Sequence, residues 1–275
     1  MKIIIPDIHM KENNITDPSD LDGMESCPFM TMKFPNDKET VVIFPKTKEP
    51  PIFFFGLINT FKFFLESDAC PKRKYAIFCL GGYTGDIIPE KGIYMNTEQL
   101  SRKSELDKIL TAKLTNVEEI WDYSLANVNI LKEYNIQAKH VPLISPKWYI
   151  EKLRLFREPY IGKFEYDVGF CGADTKRRAN IFQKLKDAGI SIHIVKSMFY
   201  KKDKELAKCA ILINIHSDED YKIFESERCE PWLQLGVTVI SEHSLDNDPR
   251  CINVHYDDLV NTVKYYLKRI LHLNP

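Results

Sequence analysis

The stretch DVGFCGADTKRRANIF, residues 167–182, passes from a strand pattern to a helix pattern through a glycine turn. An apolar run ends just before Gly172, and Asp174 or Thr175 can cap the helix that follows. A capped helix start leaves several backbone N–H groups pointing outward at the positive end of the helix dipole. The stretch therefore predicts a strand–turn–helix unit with an anion-binding end.

Two arginines, Arg177 and Arg178, fall in the first turn of this predicted helix. Cations there oppose the dipole and cost about a few tenths of a kcal/mol each, whereas an anion bound at that end reverses the penalty. The arrangement suits a diphosphate. The alternative is a solvated basic patch on an ordinary helix start, and the turn lacks the GxGxxG spacing of a dinucleotide fingerprint.

Strand and helix patterns alternate on both sides of this stretch, which predicts an α/β fold with parallel sheets. The predicted strands are 2–5, 41–45, 74–80, 92–96, 117–122, 138–144, 166–172, 190–196, 209–216, 237–242 and 251–256. The predicted helices are 54–67, 104–114, one capped by Ser124, 175–188, 202–208, 226–235 and 257–273. A proline-bounded, partly helical linker at 146–163 divides the chain into two Rossmann-like domains, 1–145 and 146–275.

The composition indicates which binding partners and which cellular compartment to expect. The 275 residues carry a formal net charge of -1, so no overall field attracts nucleic acid. Seven cysteines without a CxxC pair favour a reducing, cytoplasmic location with neither disulfides nor a zinc site. The most apolar stretch, 51–65, is shorter than the ~20 residues of a spanning helix, so no transmembrane segment is expected. A buried or half-buried helix is the first reading of it, and an interfacial membrane helix is the alternative.

A second group of polar residues follows two later strands. His216 and Glu242 stand at predicted strand ends, and Glu225 and Arg228 begin the helix between those strands. A charged carboxylate such as Glu225 accepts hydrogen bonds from both hydroxyls of a ribose. The alternatives are an i,i+3 salt bridge between Glu225 and Arg228, a core histidine at His216 and a loop carboxylate at Glu242.

The segments GADTKRR (172–178) and INIHSDEDYKIFESERCEPWLQLGVTVISE (213–242) resemble, in order and spacing, the donor half of a GT-B glycosyltransferase. The likeness is to small bacterial and large-DNA-virus, chlorovirus-like members that decorate surface or capsid glycans. GIYMNTEQL (92–100) and IWDYSLANVNILKEYNI (120–136) resemble acceptor-half segments of the same group. The likeness covers about residues 92–270.

This resemblance implies a nucleotide-sugar donor that is UDP- or GDP-linked, with UDP favoured, a glycan acceptor and no required metal or other cofactor. Xylose is one sugar that it suggests, and a viral member would act in the host cytoplasm. The donor residues that it implies by position are Gly172, Arg177, Arg178, His216, Glu225, Arg228, Ser241 and Glu242. Many retaining relatives carry two glutamates separated by seven residues, but Leu233 stands where the partner of Glu225 would be, which favours an inverting enzyme.

An inverting transfer needs a general base to deprotonate the acceptor hydroxyl. Three places in the first half supply candidates, and for each the alternative is an ordinary polar loop residue. The candidate bases are Asp86, then Glu98, then Asp7 and His9 after the first strand, with Asp86 placed first because its glycine-rich loop lets a backbone approach a sugar. The candidate acceptor contacts are Tyr94, Trp121, Asp122 and Tyr123, with a core tryptophan followed by an N-cap serine as the alternative at 121–124.

Two other functions fit the same pattern. One is a nucleotide- or sugar-binding protein that keeps the donor site without a working base. The other is a nucleotide-sugar epimerase or hydrolase built on the same two-domain plan.

Overall fold

The computed structural model describes residues 29–33, 39–43, 75–78, 93–111, 117, 119–145, 147–196 and 199–272. The chain divides into two units, Met1–Pro142 and Leu143–Pro275. The boundary predicted from the sequence, after residue 145, lies three residues later. The acceptor and donor roles expected for the two parts stay predictions.

A six-stranded sheet forms the first unit, in the order β1-β2-β3-β4-β5-β6. Its strands are β1 Phe29–Lys33, β2 Glu39–Ile43, β3 Tyr75–Phe78, β4 Ile93–Asn96, β5 Glu119–Asp122 and β6 Lys139–His140. Its helices are α1 Lys103–Thr111 and α2 Leu125–Glu133. The pairs from β2 to β6 are parallel, whereas β1 pairs antiparallel with β2. The sequence analysis predicted no strand at 29–33.

The apolar face predicted for the first helix from the spacing of Leu106, Ile109 and Leu110 is buried only in part, because Leu110 is 38% exposed. Leu106 and Ile109 of α1 lie in one buried cluster with Tyr94, Leu100 and Leu131. Burying side chains of this size contributes about 1.5–3 kcal/mol each, which fixes both helices on the sheet. The strand predicted at 2–5 and the helix predicted at 54–67 lie outside the described residues.

A five-stranded sheet, parallel throughout and ordered β11-β10-β9-β7-β8, forms the second unit. Its strands are β7 Tyr166–Cys171, β8 Ile192–Val195, β9 Cys209–Asn214, β10 Val239–Glu242 and β11 Ile252–Val254. Its helices are α3 Lys147–Arg157, α4 Lys176–Asp187, α5 Phe199–Leu206, α6 Ser226–Gln234 and α7 Leu259–His272, with single 3-10 turns at Glu158–Tyr160 and Tyr256–Asp258.

Strands β9 and β10 are buried along their whole length, as expected when helices cover both faces of a parallel sheet. The core joins Val168 and Ile211 of the strands to Ile181 of α4 and Val263 of α7. Both units are thus α/β with parallel strands, as predicted. Because the strands of the second sheet are parallel, the residues that follow β7, β9 and β10 meet at one edge of the sheet.

The segment at 146–163, predicted as a linker that is in part helical, is mostly helix α3, Lys147–Arg157. This helix packs against α5 and α6 and buries Leu153 completely. Arg157 also turns inward, where its guanidinium donates to the carbonyl of Cys209 at 2.8 Å, and burial lowers its pKa to about 10. The segment therefore belongs to the second unit.

The longest helix among the described residues is α7, with 14 residues. A helix that crosses the hydrocarbon core of a bilayer needs about 20 apolar residues. No helix in the described part of the chain meets both the length and the apolarity that crossing a membrane requires. The apolar stretch at 51–65 lies outside that part.

Candidate functional site

The turn after β7 has the local structure that the sequence predicts. Thr175, one of the two predicted caps, is the N-cap of α4, and its hydroxyl oxygen accepts from the Arg178 N–H at 3.3 Å. The N–H groups of Lys176 and Arg177 precede the first intrahelical bonds, and no partner for them is found among the described residues. These two N–H groups are therefore available to a ligand.

Gly172 lets two guanidinium groups pack directly over this turn. Its φ is 155°, a value that L side chains rarely adopt. A Cβ at this position would lie 2.9 Å from Nη2 of Arg228 and 3.2 Å from Nη1 of Arg178. The backbone angle therefore favours glycine, and a Cβ would also displace the ends of the two arginine side chains.

Arg178 is a buried connector within this site. Its side chain is 3% exposed, and it donates to the carbonyl oxygens of Ile215 at 2.9 Å and of Ala173 at 2.9 Å. Its remaining nitrogen donates to Oε1 of Glu225 at 3.2 Å. Burial is the first cause that lowers its pKa, and the charge of Arg228 is the second. All three nitrogens of the guanidinium are therefore bonded within the protein.

Glu225 joins Arg178 to Arg228. Its second oxygen pairs with the Arg228 guanidinium, which is the i,i+3 salt bridge considered as the alternative for these residues. Arg228 also donates to Oδ1 of Asn214 at 2.8 Å, and Asn214 donates in turn to the buried hydroxyl of Ser241 at 3.1 Å. One carboxylate and two arginines from α4 and α6 thus form a continuous network with the ends of β9 and β10.

A second ion pair lies at the end of β10, the neighbour of β9. Both oxygens of Glu242 accept from the guanidinium of Arg177, and one of them also accepts from the backbone N–H of His216 at 3.1 Å. The Arg177 guanidinium lies 3.8 Å from the ring centre of Tyr256, whose hydroxyl donates to the Arg177 carbonyl at 2.6 Å. Arg177 is thus held on one side by a carboxylate and on the other by an aromatic face.

His216 follows β9 and is 3% exposed. Its Nε2 lies 3.1 Å from the carbonyl oxygen of His243 and 3.2 Å from the hydroxyl of Ser244. Burial lowers the pKa of His216 below its usual 6.5, so the ring is neutral at pH 7. With its proton on Nε2 toward the carbonyl, Nδ1 is a buried hydrogen-bond acceptor.

Between the end of β9 and the start of α6, three buried polar atoms have no hydrogen-bond partner within the described chain. They are Nδ1 of His216 and the hydroxyl oxygens of Ser217 and Ser226. Most buried polar groups in proteins are hydrogen-bonded, so a run of exceptions indicates a place for a polar ligand or water. Neither serine is predictable as a site residue from the sequence, because nothing in its local pattern shows that the hydroxyl is buried.

All eight residues predicted to bind the donor meet at the carboxyl edge of the second sheet. Three guanidiniums face two carboxylates there, which leaves one positive charge on this set of groups at neutral pH, because His216 is uncharged. An anion at this edge would therefore meet preformed positive groups held in fixed positions. Their role as ligands of a nucleotide sugar stays a prediction.

Two acidic side chains near this edge stabilise turns by accepting backbone hydrogen bonds. Oδ1 of Asp218 accepts from the N–H groups of Asp220 and Tyr221, and Oδ1 of Asp246 accepts from the N–H of Phe224. Within the described ranges, no group of three or more histidine, cysteine, aspartate or glutamate side chains is placed to hold a metal ion.

A second pair of glutamates bears on whether a transfer would retain or invert the anomeric configuration. Glu219 and Glu227 are separated by seven residues, which is the spacing typical of many retaining GT-B enzymes. Glu219 is exposed in the acidic loop, and Glu227 lies in the first turn of α6. The position of Leu233 relative to Glu225 therefore does not by itself favour inversion.

In the first unit, Asp122 is the centre of a buried network. It ends β5, is fully buried, and accepts from the amides of Asn96 at 2.6 Å and Asn127 at 3.0 Å and from the Ser124 N–H at 2.8 Å. Ser124 is the N-cap of α2, as predicted, and its hydroxyl accepts from the Asn127 N–H at 3.2 Å. These contacts stabilise the turn between β5 and α2.

Two predicted acceptor residues have buried aromatic rings. Tyr94 and Trp121 are each 1% exposed, and the indole N–H of Trp121 donates to Glu119 at 2.6 Å. This geometry is that of core residues, the alternative considered for Trp121, and leaves no open ring face for a sugar. Tyr123 is half-buried, and its carbonyl oxygen lies 3.2 Å from Nε2 of His140.

Glu98 is the candidate base that the structure describes, whereas Asp86, Asp7 and His9 lie outside the described residues. Its backbone N–H donates to Oδ1 of Asn96 at 3.2 Å, and its side chain is half-buried just after β4. Burial raises the pKa of Glu98, and the negative charge of Glu105 raises it further. A raised pKa is a property that general bases near neutral pH require.

Comparisons with known proteins place the chain in a viral family. It is 30% identical to "Uncharacterized protein L140" of Acanthamoeba polyphaga mimivirus over 230 residues, which are 80% of this chain and 72% of that protein. The chain belongs to this mimivirus family. It is also 30% identical to "Uncharacterized protein L138" and 34% identical to "Uncharacterized protein L137" of the same virus, over 62% and 64% of this chain.

These last two matches cover only 18% and 24% of the longer viral proteins, so the chain resembles one part of each. No protein-family model matches the chain, and no solved structure matches it.

Proposed function

We propose that this protein is a metal-independent GT-B glycosyltransferase that moves a sugar from a nucleotide donor to a glycan. The observation that carries the proposal is the carboxyl edge of the second sheet. That edge contains the Gly172 turn and the two available N–H groups at the start of α4. It also contains the guanidiniums of Arg177 and Arg228, each paired with a glutamate. Such a group of donors suits a diphosphate.

The exposures of the three arginines assign them different roles. The side chains of Arg177 and Arg228 are 18% and 19% exposed, so both can contact a phosphate. Arg178 is 3% exposed and fully engaged, so it positions Glu225 instead. During transfer, the two accessible guanidiniums would stabilise the negative charge that develops on the departing nucleoside diphosphate.

The unpaired polar atoms at the same edge provide hydrogen bonds for hydroxyl groups. Nδ1 of His216 accepts, and the hydroxyls of Ser217 and Ser226 donate or accept. The hydroxyl groups of a sugar or ribose would satisfy these atoms, and these contacts would add to those that the diphosphate makes with the guanidiniums. We therefore expect a nucleotide sugar to bind more tightly than inorganic pyrophosphate.

Binding to the purified full chain tests the donor assignment. The probes are UDP, GDP, their sugar conjugates including UDP-xylose, and inorganic pyrophosphate, measured by calorimetry and thermal shift. A ligand that binds only the folded state raises the apparent stability by mass action. We expect a UDP-sugar to give the largest shift, and a chain that binds none of the probes contradicts the proposal.

Matched variants locate the site. Arg177→Met and Arg228→Met each remove one charge-assisted contact, so each should weaken UDP binding about 10- to 100-fold. Lys186→Met removes the same charge from an exposed position at the other end of α4 and should leave the dissociation constant unchanged. Equal affinities in all three variants would place the ligand elsewhere.

Product analysis distinguishes transfer from the other two functions. With donor and a glycan acceptor, the transferase gives a new glycosidic bond, and NMR of the anomeric proton shows whether configuration is inverted or retained. Glu98→Gln should lower the rate about 100-fold or more with unchanged UDP binding if Glu98 is the general base. Binding without any turnover supports a binding protein, and conversion of donor alone supports an epimerase or hydrolase.

A further inference from the structure

Lys202 and Asp203 form an unusual pair at the middle of α5. Asp203 is completely buried, and its Oδ2 accepts from the hydroxyl of Tyr149 at 2.8 Å. Its Oδ1 has no hydrogen-bond partner in the described part of the chain and lies 3.8 Å from Nζ of Lys202, beyond hydrogen-bond distance. The ammonium group is therefore attracted by Asp203 but not hydrogen-bonded to it.

The helix that carries Lys202 packs against the strand that leads into the Gly172 turn. Helix α5 follows β8 and packs against β7, whose last residue, Cys171, precedes Gly172. Burial raises the pKa of the Cys171 thiol, and the positive charges of Lys202 and Arg228 both act against that rise. Lys202 and Arg228 thus approach the end of β7 from different helices, α5 and α6.

Lys202 differs from the three arginines in its hydrogen bonding within the protein. Each arginine donates to a carboxylate or a carbonyl of the protein, as described above, whereas Nζ of Lys202 makes no hydrogen bond within the described residues. Its side chain is 20% exposed, so most of it is shielded from water. Asp203 nevertheless raises the pKa of Lys202 against the opposing effect of burial, so the ammonium stays charged.

A shielded ammonium with three unused N–H donors is costly unless it meets an acceptor. We propose that Lys202 binds a phosphate oxygen of the donor diphosphate, held in position by the buried carboxylate of Asp203 and the hydroxyl of Tyr149. This assignment rests on the proposed donor site and adds a ligand from α5 to those from α4 and α6. A lysine suits the role because its compact charge binds phosphate without a fixed bidentate geometry.

Calorimetry on the full chain at low salt tests the assignment, with inorganic pyrophosphate and UDP as probes. Lys202→Met keeps the length of the side chain and removes the charge, so it should weaken both probes about 10- to 100-fold. The control is Lys204→Met, which removes a charge from an exposed position on the same helix and should change the dissociation constants less than about 2-fold.

The outcomes separate this inference from the proposed function. If the wild-type chain binds the probes and Lys202→Met binds them equally well, the lysine is only a structural partner of Asp203 and the inference is overturned. If the wild-type chain binds neither probe, the donor site itself is wrong and both proposals are overturned together.

A measurement on the wild-type chain avoids any folding defect of the variant. Amine acylation followed by mass spectrometry compares the labelling rates of Lys202 and Lys204 with and without saturating pyrophosphate. We expect pyrophosphate to slow the labelling of Lys202 about 10-fold or more and to leave Lys204 unchanged. Equal labelling of Lys202 in both conditions overturns the inference.

Discussion

Asp122 and Glu242 occupy the same kind of position in the two units, because each is the last residue of a parallel strand. Their partners differ. Asp122 accepts hydrogen bonds from two side-chain amides and a backbone N–H, all neutral. Glu242 accepts from the charged guanidinium of Arg177 and from one backbone N–H.

This difference in partners distinguishes a carboxylate that stabilises the fold from one that positions a cation for a ligand. Asp122 is fully buried, out of reach of a ligand, and the three hydrogen bonds join the end of β4 to the start of α2, so the network serves the turn. A carboxylate paired with a partly exposed arginine instead holds a cation where an anion can reach it. Strand-end carboxylates are therefore informative about function mainly through the charge and exposure of their partners.

The largest expected effect is on Asp122. Asp122→Ala removes one acceptor for three buried donors, so we expect the free energy of unfolding to fall by about 3–5 kcal/mol. Urea denaturation followed by circular dichroism measures it, with Asp107→Ala on the exposed face of α1 as the control. A loss below about 1 kcal/mol would show that the network contributes little to stability.

Arg178 should behave like Asp122 although it belongs to the donor edge. Arg178→Met leaves two carbonyl oxygens and one oxygen of Glu225 without their donor, so we expect unfolding free energy to fall by about 2–4 kcal/mol. Arg177→Met, at a more exposed position, should cost less stability while affecting UDP binding more directly. Denaturation and calorimetry on both variants test the contrast, and the reverse order would exchange their assigned roles.

Glu242→Gln sharpens the comparison at the other strand end. The loss of a partly exposed ion pair should lower the unfolding free energy by about 1–2 kcal/mol. Arg177 then no longer shares its charge with a carboxylate, so pyrophosphate should bind about 2- to 10-fold more tightly. Asp122→Asn is the matched change in the first unit and should leave binding unaltered. Weaker pyrophosphate binding by Glu242→Gln would mean that Glu242 mainly positions Arg177.

The smallest expected effect is the titration of His216. Burial lowers its folded pKa below 6.5, so its contribution to stability is present above about pH 6.5 and is lost as the pH falls through the lower folded value. His216→Gln should therefore lose less stability than wild type between neutral pH and about pH 5, measured by urea denaturation. His140→Gln, on the exposed β6, is the control. Identical pH profiles for wild type and His216→Gln contradict the assignment.

Local patterns sufficed for much of the fold and for the set of residues that gather at the carboxyl edge of the second sheet. The glycine turn, the Thr175 cap and the strand ends at His216 and Glu242 are short-range features, and the parallel topology then brings them to one edge. The pairing of Arg178 with Glu225 was not predictable, because it joins residues 47 positions apart and depends on side-chain direction.

Two departures from the predictions have physical causes. The strand at Phe29–Lys33 is a sheet-edge strand whose stability comes from its neighbour β2 more than from its own short pattern. The segment at 146–163 contains two prolines, which favoured a linker, but between them Tyr149 and Leu153 are spaced as one helical face. Packing of that face against α5 and α6 decides the outcome.

The inward side chain of Arg157 has a practical consequence for dissecting the molecule. Its guanidinium binds the carbonyl oxygens of Cys209 and Ala210 at the start of a central strand. A C-terminal fragment cut at residue 164, after the segment expected to be a linker, would lack these bonds and bare the surface that α3 covers. A fragment that begins at 143 retains these bonds. It is the truncated chain whose nucleotide affinity should be compared with that of the full chain.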